Sequence, residues 1–397
     1  MVKLHMTAKV QTLKGFRDFL PSQMAVRNMV KKICIDTFEL FGYQPLETPT
    51  LEYKSLLTGK YGEEADKLIY TFKDKGERDI GLKYDLTVPT ARVLSTYNLP
   101  LPFKRYQIQP VFRADNTQKG RYREILQCDI DCYGVKAPVI DAEIITIIYT
   151  ILNKLGFKKY SIRINSRELL KNIPNSTLQS LDKFEKIGKD GVTKELISKG
   201  VSTQDIDQLF DYIKNVQPDD YLKEVFSLLE TFGVPKTTYS FDPTMIRGLD
   251  YYTGPIFETY VEDQNIGSVT GGGRYDNLVK LLGGPDMPAV GTTIGLDRIV
   301  DCLSTTVPTN TKILVANFGQ EKESLKLLTE LRNNNISSTF YPTTDKLGKQ
   351  IKYALDLGIN FVAILGPDEI KNKTITLKDL STQQQKSLTL LELIKSL

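Results

Sequence analysis

The sequence predicts an α+β protein, and three stretches of the chain carry this prediction. Residues 104–131 read as two strands with a turn between them, a pattern typical of an antiparallel hairpin. Residues 166–235 hold short polar helical patterns with many lysines, which indicates an inserted helical module. From residue 312 onward strand and helix patterns alternate, which predicts a small parallel sheet with helical crossovers.

The composition restricts the classes of protein that this chain can form. A chain of 397 residues is long enough for two or three domains. Its hydrophobic and charged fractions, 41% and 25%, are those of a soluble globular protein. A net charge of +4 is too small to draw nucleic acid to the whole surface, so any such contact needs local patches. No apolar run approaches the ~20 residues of a membrane span, so we expect a cytoplasmic protein without membrane contact.

Cysteine and histidine usage excludes several mechanisms. Cys34, Cys128, Cys132 and Cys302 do not follow a metal-binding spacing, so we expect buried, reduced thiols. His5 is the single histidine of the chain and lies near the terminus. Mechanisms that need a catalytic histidine or a histidine-bound metal are therefore excluded, and no metal ligands are predicted.

Periodicity and glycines predict the other elements. Apolar residues three and four apart indicate a helix over 22–41, closed by Gly42, and a β-prone stretch follows to Pro49. Strand patterns return over 241–257, and three glycines at 271–273 indicate a tight passage of the backbone. The predicted C-terminal order is strand 313–318, helix 321–333, strand 337–341, helix 347–357 and strand 361–365. This part carries 12 Lys and Arg against 9 Asp and Glu, a surplus compatible with RNA contact.

The hairpin orders its charges along one strand face. Before Glu124, the single acid Asp115 stands against six basic side chains: Lys104, Arg105, Arg113, Lys119, Arg121 and Arg123. Alternate residues of a strand share a face, so the odd positions from 121 to 131 present arginines first and carboxylates later. Such a face suits a ligand with a polyanionic end and a cationic end. The alternative is a solvated strand whose charges pair across the hairpin.

Further segments join the hairpin in one pattern. Residues 84–87 offer a carboxylate and a hydroxyl in a strand-like context, and residues 247–254 offer an arginine, glycine and paired phenols. Residues 291–298 read as a small-residue strand before a helix-borne Arg298. Together with residues 14–18, these segments resemble the class II histidyl-tRNA synthetases over nearly the entire chain.

The resemblance implies an antiparallel catalytic sheet flanked by helices, a helical insertion and a C-terminal α/β domain that binds the anticodon. The implied boundaries are a catalytic core over 1–166, the insertion over 167–237, the second part of the core over 238–309 and the anticodon-binding domain over 310–397. A homodimer is also implied, with the helix before Gly42 and the strand ending at Pro49 in the interface.

The implied reaction joins L-histidine to ATP as histidyl-adenylate, with Mg²⁺ on the outer phosphates, and then transfers the histidyl group to tRNA(His). Attack of a carboxylate on the α-phosphate brings two anions together, so the site needs fixed cations around the phosphorus. By the resemblance, Arg113 and Arg247 are these catalytic groups, while Arg298 and Arg121 hold the ATP tail and cover the adenine. A surface or helix-capping role is the alternative for Arg247.

Recognition of histidine needs partners for its ammonium group and for both ring nitrogens. By the resemblance, Asp131 accepts from one ring nitrogen, and Tyr252, assisted by Tyr251, meets the other. The implied histidine site contains Asp85, Leu86, Thr87, Arg113, Gln127, Asp131, Arg247, Tyr251 and Tyr252. Strand packing is the alternative for the two tyrosines, and a structural salt bridge is the alternative for the two aspartates.

Two positions depart from the family pattern. Ile125 stands where an aromatic residue usually lies under the adenine, and Asp115 stands where a glutamate is usual. By the resemblance, both belong to the ATP site. Gln118 and Lys119, at the tip of the loop, would approach the acceptor end of the tRNA.

Three other functions compete with this interpretation. A catalytically silent, histidine-sensing regulatory paralogue is disfavoured because Arg113, Arg247 and Arg298 are all present. A class II synthetase for another amino acid would have no use for an acid and a phenol at opposite ring nitrogens. A plain RNA-binding protein would not need an acidic pocket.

Overall fold

The computed structural model describes residues 10–59, 66–117, 121–246, 251–264, 266–303, 307 and 309–397. The chain divides into two compact units, Met1–Phe19 with Arg27–Ser304, and Leu20–Val26 with Thr305–Leu397.

In chain order the strands are β1 Gln44–Pro45, β2 Leu51–Tyr53, β3 Thr71–Lys73, β4 Asp79–Leu82, β5 Phe103–Phe112, β6 Glu124–Tyr133, β7 Tyr160–Ser166, β8 Tyr239–Phe241, β9 Pro255–Val261, β10 Thr270–Arg274, β11 Ala289–Gly295, β12 Ile313–Val315, β13 Ser338–Phe340, β14 Phe361–Ile364, β15 Ile375–Asp379 and β16 Gln385–Leu388.

Helices surround these strands. In the first unit they are Pro21–Leu40, Lys54–Leu57, Thr87–Thr96, Pro138–Lys154, Asn175–Leu181, Phe184–Ser198, Thr203–Asn215, Asp220–Thr231, Leu278–Leu281 and Leu296–Cys302, although the first six residues of Pro21–Leu40 are assigned to the second unit. The second unit adds Glu321–Asn333, Leu347–Asp356, Pro367–Asn372 and Leu390–Ser396. Short 3₁₀ turns cover Arg167–Leu170 and Lys236–Thr238. The helix predicted over 22–41 and the run of short helices after residue 166 are thus confirmed.

The largest sheet of the first unit has the strand order β1-β5-β6-β11-β10-β9-β7-β8 among the residues described. Its central pairings, from β5 to β7, are antiparallel, and only the two edge pairs, β1 with β5 and β7 with β8, are parallel. The predicted hairpin is confirmed, because β5 pairs with β6 from Phe103 opposite Tyr133 to Phe112 opposite Glu124. Arg121 and Arg123 lie before β6 and not within it.

Alternation on β6 separates a core face from a polar face. Cys128, Ile130 and Cys132 are fully buried in the largest apolar cluster, which the isoleucines of helix Pro138–Lys154 also enter. The odd residues of β6 point to the other face, where the candidate site lies. The cysteines are free, with three buried and Cys302 half-buried, as expected for reduced thiols.

Helix Asp220–Thr231 belongs to the same large core. Leu222, Val225 and Leu229 are fully buried in that cluster, and the Tyr221 hydroxyl donates to Asp141 at 2.8 Å. The remaining helices of the lysine-rich stretch form their own apolar cluster, around Leu178, Leu181, Val192, Leu196 and Ile206. The stretch after residue 166 therefore contains one helix that the main core needs and three that pack mostly on each other.

The sheet of the second unit is mixed, with order β13-β12-β14-β15-β16 in the described residues. Strands β12, β13 and β14 are parallel, as predicted, but β15 and β16 add an antiparallel hairpin at one edge. The prediction of a purely parallel sheet was wrong on this point. The polar tract before Leu388 has no strong apolar alternation, because β16 is an exposed edge strand.

Candidate active site

Three polar residues of β6 form the floor of the candidate site. Gln127, Asp129 and Asp131 lie on one face of the strand and are 7%, 4% and 3% exposed. Opposite them on β5 lie Gln109, Gln107 and Arg105, and opposite them on β11 lie Gly295, Thr293 and Gly291. A buried strip of polar groups therefore crosses three neighbouring strands.

Asp131 is held by two partners at the base of this strip. The Arg105 guanidinium is fully buried and its Nη2 lies 2.6 Å from Asp131 Oδ2. The Tyr275 hydroxyl donates to Asp131 Oδ1 and lies 3.1 Å from the Tyr133 hydroxyl. Burial raises the pKa of Asp131, and the Arg105 charge and the Tyr275 hydrogen bond oppose that rise. The salt bridge considered as the alternative for this residue is thus present, and it fixes the carboxylate in place.

Asp129 lies one step further along the strip. Its carboxylate accepts a hydrogen bond from the Thr293 hydroxyl, which in turn accepts one from Gln127 Nε2 at 3.1 Å. Burial raises the pKa of Asp129 to about 7; the Arg105 charge opposes this, and the charges of Asp131 and Asp85 add to it. Asp129 can therefore change its protonation state near neutral pH.

Residues 84–86 lead into a helix that begins at Thr87, and they do not form a strand. Helix Thr87–Thr96 starts directly after Leu86, and Asp85 Oδ1 accepts from the Val88 N–H at 3.1 Å. The strand-like context predicted for this segment was wrong, because the Asp85 carboxylate satisfies a free N–H of the first helical turn. Asp85, Leu86 and Thr87 are all buried, and Asp85 is coupled electrostatically to Asp129.

Three aromatic side chains close one side of the strip. The rings of Tyr251 and Tyr252 lie 4.9 Å apart, and the Tyr251 ring meets Tyr275 edge-on at 5.7 Å. Tyr252 is 8% exposed, whereas Tyr251 is half-buried. Because Tyr275 also donates to Asp131, the predicted pair of tyrosines lies beside the predicted carboxylate.

Arginines gather at the other end of the site. Arg113 Nε donates to the Tyr84 carbonyl at 3.1 Å, and its guanidinium lies 4.5 Å from the centre of the Tyr84 ring. Arg298 Nη1 donates to the Ser268 carbonyl at 2.6 Å. Burial lowers the pKa of Arg298, and the positive charges of Arg121 and Arg113 lower it further. Such mutual repulsion is typical of cations that share an anion site.

The two positions that depart from the family pattern lie near these arginines. The Asp115 carboxylate is 3.8 Å from Arg121 Nε, and the Asp115 carbonyl accepts from Arg123 Nε at 3.1 Å. Ile125 is half-buried on the polar face of β6. Three predicted residues, Arg247, Gln118 and Lys119, lie outside the residues that the structure describes.

Residues 14–18 contact the hairpin formed by β5 and β6. The backbone N–H of Arg123 donates to the Gly15 carbonyl at 2.9 Å. Arg17 pairs with Asp297 at 2.9 Å, and Asp297 Oδ2 accepts from the Leu126 N–H at 3.0 Å. Asp297 precedes Arg298 in the same helix, so these contacts help to fix the arginine end of the site.

Sequence reasoning missed several groups of the site. The sequence places Arg105 only in a basic run and does not single out Tyr275. Asp129 was placed on the correct face by alternation but was given no role. The signal for Tyr275 was weak, because its contact with Asp131 joins positions 144 residues apart.

Glycine at position 291 allows Asp131 to lie against β11. A Cβ atom at this position would collide with the Asp131 carboxylate and lie 2.6 Å from the Ile130 carbonyl. We expect Gly291→Ala to lower the free energy of unfolding by about 1–3 kcal/mol, because the carboxylate must move. Urea unfolding measures the loss. Gly348→Ala is the control, since no atom lies within 4 Å of its Cβ position; equal behaviour of the two variants would contradict the argument.

Lys83 is a buried cation below the site. It is fully buried, and its Nζ donates to Gln109 Oε1 at 2.6 Å and to the Thr48 carbonyl at 3.2 Å. Burial lowers the pKa of Lys83 to about 8, although the charges of Glu47, Glu52 and Asp129 oppose this.

The lowered pKa of Lys83 makes stability depend on pH. Between about pH 8 and pH 10.5 the unfolded chain keeps this proton and the folded chain loses it. The contribution of Lys83 to the free energy of unfolding is therefore lowest below pH 8 and increases between about pH 8 and pH 10.5. We expect the wild type to gain stability relative to Lys83→Met between pH 7.5 and pH 9.5 in urea unfolding. A constant difference between the two proteins would contradict the lowered pKa.

Models of two known families match this chain. The model described as histidyl-tRNA synthetase matches residues 15–189 and 199–299, and the model described as anticodon binding domain matches residues 307–397. The chain belongs to the histidyl-tRNA synthetase family. As a member of the histidyl-tRNA synthetase family it is a ligase that acts in translation and uses ATP as a substrate.

Individual relatives agree with this assignment. The chain is 38% identical to the histidine–tRNA ligase of Clostridium tetani, over 98% of each chain. It is 37% identical to the histidine–tRNA ligase of Phocaeicola vulgatus, over 98% of this chain and 99% of that one. The crystal structure of histidyl-tRNA synthetase from Nostoc sp. PCC 7120 matches with a TM-score of 0.85 and 29% identity, covering 98% of this chain and 99% of that one. The predicted α+β synthetase fold is thus confirmed.

Two negative findings apply to the described part of the chain. None of its helices is both long enough and apolar enough to cross a membrane. No group of three or more histidine, cysteine, aspartate or glutamate side chains there is arranged to hold a metal ion.

Proposed function

We propose that this chain activates L-histidine with ATP as histidyl-adenylate and transfers the histidyl group to tRNA(His). One observation carries the proposal: a buried acidic pocket and a group of arginines occupy opposite ends of one sheet face. The acidic end contains Asp85, Asp129 and Asp131, and the arginine end contains Arg113 and Arg298. Histidine brings a cationic end and ATP brings a polyanionic end, so their reacting groups meet between the two.

The arginines supply the catalysis in this proposal. Histidine attacks through its own carboxylate, so the site needs no general base for that step. Its requirement is positive charge around the α-phosphorus, where negative charge increases in the transition state. Arg113 is half-buried and fixed by the Tyr84 carbonyl and ring, so its guanidinium is oriented before substrate binds. We assign Arg113 and Arg247 to the α-phosphate.

Arg298, Arg121, Asp115 and Ile125 are assigned to the rest of ATP. Burial and neighbouring positive charge lower the pKa of Arg298, and a bound polyphosphate would relieve that repulsion. ATP is used as its Mg²⁺ complex. Mg²⁺ keeps several waters and is commonly held through substrate phosphates, so the chain needs no closed protein cage for it.

The acidic end recognises the amino acid. Asp85, Leu86, Thr87 and Gln127 bind the ammonium group and backbone of histidine. An ionised carboxylate offers about four acceptor positions, so Asp131 can accept from a ring N–H while it keeps Arg105 and Tyr275. Tyr252, supported by Tyr251, meets the other ring nitrogen. A pocket with buried partners for both nitrogens rejects side chains that lack them by about 10⁴-fold.

The remaining parts of the proposal concern the whole assembly. We assign residues 310–397 to anticodon binding, residues 167–237 to the insertion, and residues 1–166 with 238–309 to catalysis. We assign Gln118 and Lys119 to the acceptor end of the tRNA. The enzyme acts as a cytoplasmic homodimer. We assign its interface to the helix before Gly42 and the stretch ending at Pro49, beside which Leu51 and Tyr53 are 44% and 58% exposed.

Pyrophosphate exchange tests the proposal directly. The full chain is incubated with ATP, labelled pyrophosphate and histidine, proline, threonine or glycine. We expect exchange with histidine alone, and its loss in Arg247→Ala. Exchange with another amino acid would overturn the substrate assignment. Histidine binding without any exchange would favour the silent, histidine-sensing regulatory paralogue.

A further inference from the structure

The acidic pocket contains more negative than positive charge. Asp129 faces charged groups from every element packed against it: Arg105 on β5, Asp131 on its own strand, Asp85 before helix Thr87–Thr96, and Lys83 after β4. On β11 its neighbour is the uncharged Thr293, and on the opposite sheet face the Cys128 thiol interacts electrostatically with it. Three carboxyl groups therefore share a small region with two cations.

Both of these cations are held by other described partners. The Arg105 guanidinium is paired with Asp131 at 2.6 Å. Lys83 Nζ is engaged by Gln109 and the Thr48 carbonyl. The hydrogen bond described for the Asp129 carboxyl comes from a neutral hydroxyl, that of Thr293. A third buried negative charge in this region is costly unless another cation enters.

Resting on the proposed function, we propose that Asp129 is a further histidine-recognising residue, whose carboxyl group holds a proton in the empty pocket and releases it to solvent when the α-ammonium group binds. The ligand then supplies the missing positive charge, and Asp129 becomes its ionic partner. No bond other than the O–H of the carboxyl group breaks. The released proton passes to the buffer, where it can be counted.

The pKa of Asp129 in the empty pocket agrees with this exchange. At about 7, raised chiefly by burial, it leaves roughly half of the molecules protonated at neutral pH. An opposite charge within about 4–6 Å lowers a carboxyl pKa by about 1–3 units, which would leave Asp129 about 90% or more ionised at pH 7. Histidine affinity should therefore rise with pH between 6 and 8.

Calorimetric titration with L-histidine tests the proposal. Titrations of the full chain at pH 7.0 in three buffers of different ionisation enthalpy give the number of protons released. We expect the wild type to release about 0.5 proton more than Asp129→Asn, because a group with a pKa of about 7 is half protonated there. The comparison between proteins removes the titration of the ligand's own imidazole. At pH 8.5 the difference should fall below about 0.1 proton.

Affinity gives a second readout. Asp129→Asn should bind histidine about tenfold or more weakly at pH 8, and the deficit should shrink at pH 6, where wild-type Asp129 is protonated in the empty pocket. Asp220→Asn, a substitution at a side chain that is 99% exposed, should behave as the wild type. Equal proton release by wild type and Asp129→Asn would overturn the proposal.

Two analogues of histidine test whether the α-ammonium group is the cation that causes Asp129 to release its proton. Histidinol keeps the ammonium group and should release the same number of protons as histidine. 3-(Imidazol-4-yl)propanoate lacks the ammonium group and should release none beyond the Asp129→Asn value. Release by the propanoate equal to that by histidine would assign the effect to the ring and contradict the proposal.

A second variant keeps the test valid if Asp129→Asn does not fold. Thr293→Val removes the hydroxyl that stabilises ionised Asp129, so the pKa should rise and proton release at pH 8.0 should exceed that of the wild type. Unchanged release at pH 8.0 would count against the proposal. Absence of any histidine binding would remove the proposed function itself, whereas tight binding with unchanged proton counts would remove only the role of Asp129.

Discussion

Arg113→Ala is expected to lower kcat for histidine-dependent pyrophosphate exchange by about 10²–10³-fold. The Arg113 guanidinium donates to the Tyr84 carbonyl at 3.1 Å and stacks on the Tyr84 ring. It therefore needs little reorientation when the substrates react. In the proposed role, its charge would act most strongly on the oxygens of the α-phosphate as they gain negative charge. KM for histidine and ATP should change by less than about tenfold, because this interaction strengthens in the transition state.

A surface arginine provides the control for Arg113. The Arg78 side chain is 63% exposed and pairs with Asp74 at 2.6 Å, so Arg78→Ala removes the same charge away from the site. Exchange kinetics should then match the wild type, and thermal unfolding should show that both variants fold. A loss of less than tenfold in a folded Arg113→Ala protein would assign the main catalytic charge elsewhere.

Arg105→Met is expected to lower the free energy of unfolding by about 3–5 kcal/mol. Arg105 is fully buried beside Asp131, so its removal leaves a buried carboxylate close to Asp129 without its cation. Urea unfolding at pH 8 measures the loss. Histidine binding should also fail in this variant, because Asp131 loses its fixed position.

The pH dependence of Arg105→Met follows from the same carboxylate. Burial already raises the pKa of Asp131 in the folded chain, and loss of the guanidinium raises it further, so the folded chain takes up protons more readily as pH falls. The deficit is therefore largest at high pH and should shrink from pH 8 to pH 6. Arg105→Met with Asp131→Leu is the control, since replacing the whole pair avoids the uncompensated charge. If the double variant were less stable than Arg105→Met, the explanation by charge would be wrong.

Much of the fold could be predicted because its signals are local. Alternating apolar residues located the hairpin, and residues three and four apart located helix Pro21–Leu40. The antiparallel edge of the second unit was missed because β16 is exposed and carries little apolar pattern. The helical start at Thr87 was missed because its signal is one carboxylate that accepts a helical N–H.

The site was predicted less completely, for a different physical reason. Strand alternation gives the face of a residue but not its neighbours on other strands, so the strip across β5, β6 and β11 could not be assembled from sequence. Arg105 and Tyr275 approach Asp131 only through that register. The residue roles themselves came from the resemblance and remain predictions, including those of Arg247, Gln118 and Lys119.

The helix Asp220–Thr231 makes the lysine-rich stretch an anchored part of the enzyme and not a removable accessory. Tyr221 donates to Asp141, and Asp141 pairs with the buried Arg274 at 2.5 Å. Arg274 precedes Tyr275, the residue that holds Asp131, so the anchor reaches within one residue of the amino-acid pocket. Deleting helix Asp220–Thr231 would remove Leu222, Val225 and Leu229 from the largest apolar cluster and leave a cavity in the core of the first unit.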